Sequence, residues 1–134
     1  MTVIGIGNEW RGDDGAGLEV ARRLGGLQLS GEPIALLDVL DGAEDVVVVD
    51  AVSSGAAPGT LHVFEAGSTP LPVDLFGSSS THALGVAEAI EIARSLGRLP
   101  ERVRVYGIEG ASFDYGRGLS PEVEKAVEEC TRSI

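Results

Sequence analysis

Three polar sites in this sequence have residue types that can do chemistry, although they lie far apart along the chain. Asp13 and Asp14 follow Gly5-Ile6-Gly7-Asn8, Asp50 ends the apolar run Val46-Val47-Val48-Val49, and His82 stands in Ser80-Thr81-His82-Ala83. Each lies where a predicted strand passes into a loop or helix, and in an open α/β sheet ligands bind at that edge. Carboxylate oxygens together with an imidazole nitrogen favour nickel or zinc over magnesium or calcium. The pattern therefore predicts a divalent-ion site made of two carboxylates and one imidazole.

Each of these residues also has an ordinary structural explanation. An aspartate at a helix start caps the helix, which accounts for one of Asp13 and Asp14, but a second acid is redundant for capping. Asp50 alone is explained as a turn residue that ends a strand, and His82 alone as a structural histidine beside a Ser-Thr helix cap. The functional interpretation depends on all three sites falling at strand ends or helix starts.

The remaining candidates favour no competing chemistry. His62 lies inside an alternating strand, where packing or solvation explains it, and Trp10 is either a surface residue or part of a partner-binding lip. No base is placed beside Cys130, and the sequence has no His-Glu-x-x-His, Gly-x-Ser-x-Gly or P-loop motif. Gly5-x-Gly7 begins like a dinucleotide-binding fingerprint. However, position 10 is tryptophan, and the adjacent aspartates would repel a pyrophosphate.

Alternating strand and helix patterns must position these residues. The clearest strand is residues 46–49, whose four valines imply burial on both faces of a sheet. The predicted strands are residues 2–6, 27–29, 46–49, 59–64 and 102–108, and the predicted helices are 15–24, 34–40, 83–96 and one that begins at Ser120-Pro121. Asp13 or Asp14 is the expected N-cap of the first helix, and residues 67–80 are expected to form a long loop.

This order of elements predicts an α/β fold. We expect one three-layer domain over residues 1–134, in which a mainly parallel or mixed sheet of four to five strands carries helices on both faces. With 43% hydrophobic residues and 19 glycines, the chain has the composition of a compact α/β protein with many tight turns.

The charge and the cysteine content exclude several classes of protein. A formal net charge of −11 disfavours nucleic acid as a partner, because phosphate is bound through Lys and Arg. The single cysteine, Cys130, rules out a disulfide framework within the chain and indicates a reducing compartment. No run approaches the ~20 apolar residues that span a bilayer, and no signal-peptide core precedes the first glycines and acids. We therefore expect a cytoplasmic monomer that does not contact a membrane.

Taken in order, the motifs resemble one family, the hydrogenase maturation proteases, which trim the C-terminal tail from the large subunit of nickel-iron hydrogenases. The likeness covers nearly the whole chain, with less room than usual over residues 25–33 for the second strand and the glycine-rich loop of that family. It rests on Gly5-Ile6-Gly7-Asn8, Asp13-Asp14-Gly15-Ala16-Gly17, Val48-Val49-Asp50-Ala51-Val52, Thr81-His82-Ala83-Leu84, Tyr106-Gly107-Ile108-Glu109 and Gly118-Leu119-Ser120-Pro121-Glu122-Val123.

The resemblance implies that Asp14, Asp50 and His82 contact the metal and carry the catalysis. It implies an endopeptidase whose partner, the hydrogenase large-subunit precursor, already holds nickel, so that the substrate supplies the ion and the protein keeps no cofactor of its own. An ion at that point can polarise the scissile carbonyl or lower the pKa of a bound water. The carboxylates can serve as base, as ligands or as both.

Two other functions fit part of the pattern. A peptidyl-tRNA hydrolase-like esterase also opens with Gly-x-Gly-Asn, but Glu9 stands where that family has proline, no Thr-Arg-His-Asn segment follows, and the charge of −11 suits tRNA poorly. A nickel-binding maturation chaperone would dock on the hydrogenase precursor without cutting it. Cleavage of the tail from nickel-loaded precursor distinguishes the protease from the chaperone.

Overall fold

Five strands and four α-helices make up the parts of the chain that the computed structural model describes, namely residues 1–30, 33–72 and 85–134. The strands are β1 (Thr2–Ile6), β2 (Leu27–Leu29), β3 (Asp45–Val52), β4 (Leu61–Glu65) and β5 (Arg102–Glu109), and the helices are α1 (Ala16–Leu24), α2 (Pro33–Leu40), α3 (Val86–Ser95) and α4 (Pro121–Ser133). A short 3₁₀ helix, Gly12–Gly15, directly precedes α1. None of these helices is long and apolar enough to cross a membrane.

The strands form one mixed sheet in the order β2-β1-β3-β5-β4. The pairs β1–β2, β1–β3 and β3–β5 are parallel, and β4 runs antiparallel to β5 along one edge. β3 is central, as its four consecutive valines predict, because a strand between two neighbours and two helical layers is buried on both faces. The predicted α/β fold with a mainly parallel sheet is confirmed.

Helices cover both faces of the sheet, because successive residues of a strand point to opposite sides. Val46, Val48 and Val52 of β3 pack in a core layer with residues of α2 and α3. Val47 and Val49 pack in a second layer with residues of α1 and α4. The molecule therefore has the expected order of helix, sheet and helix.

The start of α1 lies against the carboxyl ends of β1 and β3. A Cβ atom added to Gly17 would be 2.2 Å from the carbonyl oxygen of Val49 and 2.7 Å from that of Ile6, so only glycine fits at this point of the helix. A Cβ atom on Gly7 would likewise be 1.9 Å from the carbonyl oxygen of Asp14. These close approaches bring the turn before α1 next to the end of β3.

One helix start agrees with its prediction and one does not. Ser120 is the N-cap of α4, with proline at the first helical position and acids in the first turn. The N-cap of α1, however, is Gly15, which makes no side-chain cap bond, so the expectation that Asp13 or Asp14 caps α1 is wrong. Both aspartates lie in the 3₁₀ turn that precedes the N-terminus of α1. Their carboxylates accept hydrogen bonds from other donors.

The remaining boundaries differ from the predictions by a few residues. β4 begins at Leu61, two residues after the predicted start. α3 is described from Val86 onward, and the predicted helical residues 83 and 84 lie outside the described residues. Most of the predicted loop 67–80 also lies outside them, since the description stops at residue 72.

Candidate active site

Asp14 lies in the 3₁₀ turn between β1 and α1 and is almost completely buried. Its Oδ2 accepts a hydrogen bond of 3.0 Å from the backbone N–H of Asn8, which follows the end of β1. This bond turns the carboxylate toward the end of the parallel strands, where ligands bind in sheets of this kind. The motif Gly5-Ile6-Gly7-Asn8 thus has a geometric task, since it brings a backbone donor to Asp14.

Asp50 is the sixth residue of β3, and its side chain is also buried. Its Oδ1 accepts a hydrogen bond of 2.9 Å from the backbone N–H of Ala51. The pKa of Asp50 is nevertheless raised well above the usual aspartate value, first because burial removes water from the carboxylate and second because the negative charge of Asp14 is close by. The bond from Ala51 opposes this rise but is the smaller effect.

The structure therefore brings Asp14 and Asp50 together, although 36 positions separate them in the sequence. Two buried carboxylates in electrostatic contact cannot both ionise without a compensating charge. A proton or a cation can supply that charge.

His82, the third predicted member of this site, lies outside the described residues. Its role in binding metal therefore stays a prediction. Within residues 1–30, 33–72 and 85–134, no three His, Cys, Asp or Glu side chains are grouped so that they could hold an ion. Asp14 and Asp50 need at least one further ligand to do so.

Asp13 has a different task from its neighbour. Its carboxylate is buried and accepts four hydrogen bonds from the segment that leads into α4. The donors are the backbone N–H groups of Ala111 (2.7 Å), Ser112 (3.0 Å) and Ser120 (2.7 Å) and the hydroxyl of Ser120 (2.8 Å). Asp13 is therefore a structural residue, but it ties two distant segments together and does not have the predicted task of capping α1.

Sequence reasoning missed a second buried polar cluster, centred on Glu109 at the end of β5. Its Oε2 accepts 2.8 Å from the backbone N–H of Ser54, and its Oε1 accepts 2.6 Å from the Ser54 hydroxyl. The Nε2 of His62 lies 3.2 Å from the same Oε1. The side chain of His62 is 20% exposed, and its ring contacts this carboxylate. An acid that closes an apolar strand, the signal that singled out Asp50, also marks Glu109.

Two further residues have surroundings that limit their roles. Trp10 is about half exposed, and its ring lies 5.1 Å from the guanidinium carbon of Arg117, which also pairs with Glu9 at 3.3 Å. A recess of about 280 Å³ beside Trp10 is bordered by Gly7 and Asn8 and so adjoins the turn that carries Asp14.

Cys130 is buried, and its pKa is raised to about 12 by burial and by the charge of Glu129, which makes it unreactive.

Comparison with known proteins decides the family. The family model of hydrogenase maturation proteases matches residues 30–134 of this chain. The chain belongs to the hydrogenase maturation protease family. The matched region includes Asp50 and Glu109, whereas Asp14 precedes it.

Full-length relatives extend the similarity over the first thirty residues. The putative hydrogenase maturation protease of Methanocaldococcus jannaschii is 30% identical over 148 aligned positions, which cover all of this chain and 93% of that relative. The hydrogenase 2 maturation protease of Escherichia coli K12 is 25% identical over 145 positions, covering all of this chain and 87% of that protein. Both alignments contain the turn with Asp14.

The fold of this hydrogenase maturation protease agrees with that of a solved relative. The hydrogenase maturating endopeptidase HybD from Escherichia coli superposes with a TM-score of 0.82 at 25% identity, over 99% of this chain and 89% of HybD. Membership of the family makes the chain a peptidase, which sets aside the esterase alternative. The buried, high-pKa thiol of Cys130 is not a suitable nucleophile for this peptidase.

Proposed function

We propose that this hydrogenase maturation protease is an endopeptidase that removes the C-terminal tail of a nickel-iron hydrogenase large-subunit precursor, and that it acts on the precursor that already holds nickel. The observation that carries the proposal is the buried pair of Asp14 and Asp50, in which burial and mutual repulsion raise the pKa of Asp50. Such a pair binds a proton when alone and prefers a divalent cation when one is offered.

The raised pKa of Asp50 supplies a physical basis for nickel recognition. In the protein alone, Asp50 retains a proton at a pH where an exposed aspartate has lost it. A precursor that carries nickel brings positive charge to the pair, which favours ionisation of Asp50 and attraction by both carboxylates. A precursor without nickel brings no such charge. The same two side chains therefore distinguish loaded from unloaded substrate, with His82 as the proposed third ligand.

Hydrolysis of the peptide bond requires a base for water and an electrophile at the scissile carbonyl. The nickel of the substrate can polarise the carbonyl. Asp14 and Asp50 can hold the ion, and a carboxylate whose pKa lies above its usual range is also a suitable acceptor for the proton of water. The D50N variant separates the two roles, because loss of precursor binding indicates a ligand, whereas retained binding without cleavage indicates a base.

The decisive experiment measures release of the tail by mass spectrometry, with nickel-loaded and nickel-free precursor in parallel. The native protein is expected to cut only the loaded form, and D14N and D50N are expected to cut neither. D41N is the matched control, because Asp41 is a solvent-exposed aspartate that precedes β3, whereas Asp50 lies near the other end of that strand. Cleavage of nickel-free precursor at the same rate would contradict nickel recognition. Tight binding of loaded precursor with no cleavage by the native protein would favour the chaperone alternative.

A further inference from the structure

Glu109 and Asp50 lie on the same face of the sheet, on neighbouring strands. In β5, Val103 and Val105 pack in the core layer that also contains Val48 and Val52 of β3. Because side chains alternate along a strand, Asp50 and Glu109 must face that same layer. The register pairs Asp50 with Gly107 and Val52 with Glu109, so the two acids are one diagonal step apart across the β3–β5 ladder.

Glu109 holds the connection from β3 to β4 at both of its ends. Near the start of the connection, its carboxylate accepts from the N–H and the hydroxyl of Ser54. Near its end, the backbone of Glu109 accepts from Gly59 N–H (2.8 Å) and donates to the Thr60 carbonyl (2.9 Å). His62, on β4, contacts the carboxylate as well. Glu109 of β5 thus bonds both the connection that follows β3 and the strand β4, close to the end of β3 that carries Asp50.

A carboxylate is an expensive group to bury for a purely structural link. Desolvation of a charge costs free energy unless every lone pair is satisfied, and an apolar residue of similar volume is often at least as stabilising. What the carboxylate adds is directional restraint, because three donors meet it from two different chain segments. Because a carboxylate can only accept hydrogen bonds, the Nε2 atom of His62 is the donor to Glu109.

The restrained segment begins four residues after Asp50. The N–H of Ala51, which belongs to the same strand end, donates to the Asp50 carboxylate. Asp50 lies in the β3–β5 ladder, whose last pair is Val52 with Glu109, so the position of Glu109 sets the end of the ladder two residues after Asp50. Displacement of a reactive group by about 1 Å can cost on the order of 100-fold in rate, so the restraint bears on catalysis and not only on folding.

We infer that Glu109 is a positioning residue for this site: together with Ser54 and His62 it fixes the strand end that presents Asp50 to the substrate. The activity part of the inference rests on the proposed function, whereas the restraint itself does not. Glu109 is not expected to touch the substrate.

The test compares E109Q with a variant that is destabilised elsewhere. Glutamine keeps the shape of the side chain but can accept at only one of its two terminal atoms, so at least one of the three bonds to Ser54 and His62 is lost. V127A is the control, because Val127 is buried in α4 on the opposite face of the sheet and its truncation lowers global stability without touching the connection. For E109Q, kcat for tail cleavage is expected to fall about 10- to 100-fold, with KM for loaded precursor changed less than about twofold.

A conservative pair at His62 provides the second arm. H62Q retains an N–H donor for Glu109 and H62L does not, so H62L is expected to lose more of kcat than H62Q. Equal kcat in native protein and E109Q, or an equal loss in E109Q and V127A at matched stability, would overturn the positioning role.

Amide hydrogen exchange tests the restraint without any substrate. In E109Q, the Ser54 amide is expected to exchange about tenfold faster or more, while amides of β1 stay unchanged. If the native protein cuts no precursor, the proposed function fails, but this measurement still decides whether Glu109 holds the connection. Unchanged exchange at Ser54 would refute the restraint even in an active enzyme.

Discussion

The carboxyl groups of Asp14 and Asp50 lie near enough in the protein interior for the charge of Asp14 to raise the pKa of Asp50. Burial acts in the same direction and is the larger cause. Both effects penalise the ionised form. At neutral pH the protein without an ion therefore carries a cost in folding free energy at the very place where its proposed chemistry occurs.

The first prediction is that D50N is more stable than the native protein at neutral pH. The pKa of Asp50 is about 3.9 in the unfolded chain and is raised in the folded one, so the folded state binds more protons between those two values. Stability must then fall as the pH rises through that window. Asparagine carries no charge and escapes the loss, so D50N is expected to gain about 1–3 kcal/mol at pH 7.

Urea unfolding at a series of pH values measures this gain. The difference between D50N and the native protein should shrink toward zero as the pH falls to about 4, where Asp50 is neutral in both states. D14N should narrow the pH range over which stability falls, because it removes the charge of Asp14, which is the second cause of the raised pKa of Asp50. The burial of Asp50, which is the first cause, remains. A stability difference that does not vary with pH would contradict the raised pKa.

The second prediction concerns activity. D14N and H82A are each expected to lower cleavage of nickel-loaded precursor at least about 100-fold while leaving the circular dichroism spectrum unchanged, because loss of a ligand removes chemistry and not core packing. Their melting temperatures should not fall below that of the native protein. Full activity of H82A would remove His82 from the site.

The third prediction separates Asp13 from Asp14. D13A leaves four donors from residues 111–120 without their acceptor, so the free energy of unfolding is expected to drop by about 2–4 kcal/mol. D114A is the matched control, since Asp114 lies exposed in the same segment and its loss should stay within about 0.5 kcal/mol. Thermal or urea unfolding of both variants is sufficient. Equal free energies of unfolding for D13A and D114A would mean that the hydrogen bonds of Asp13 make no net contribution to stability.

The fourth prediction is that Cys130 takes no part in cleavage. Its pKa of about 12 and its burial keep it as a thiol at neutral pH, so iodoacetamide should modify the protein only after unfolding in guanidinium. C130A is expected to cut loaded precursor at the native rate. Rapid alkylation of the folded protein, detected by mass spectrometry, would show that the thiol is more accessible than the structure indicates.

The fold was predictable where a local pattern had one physical explanation. Four consecutive valines in β3 required burial on both faces, and Ser120-Pro121 followed by acids specified the start of α4. The proximity of Asp14 and Asp50 also followed from local signals, because the carboxyl ends of parallel strands meet at one edge. These inferences need only the direction of each strand and not the contacts between side chains.

What could not be predicted depended on register and on distant partners. The link between His62 and Glu109 requires that β4 be antiparallel to β5 and that His62 stand opposite Gly107, and nothing within either segment states this. Local reasoning predicts a cap of α1 at Asp13 or Asp14, because that helix is their neighbour in sequence. For Asp13 the partners are distant. Its actual donors lie 98 to 107 positions away.

That separation sets the order in which the molecule can assemble. The turn that presents Asp14 is held in place by its neighbour Asp13, whose carboxylate exchanges water for protein donors only when residues 111–120 have folded against it. During synthesis, some nine-tenths of the chain must leave the ribosome before the first of the proposed ligands is locked into position. Contacts so distant in sequence form late, after the loop-closing entropy has been overcome. A half-made chain of this protease would therefore contain the residues of β3 but neither β5, which makes that strand central, nor the segment that anchors Asp13.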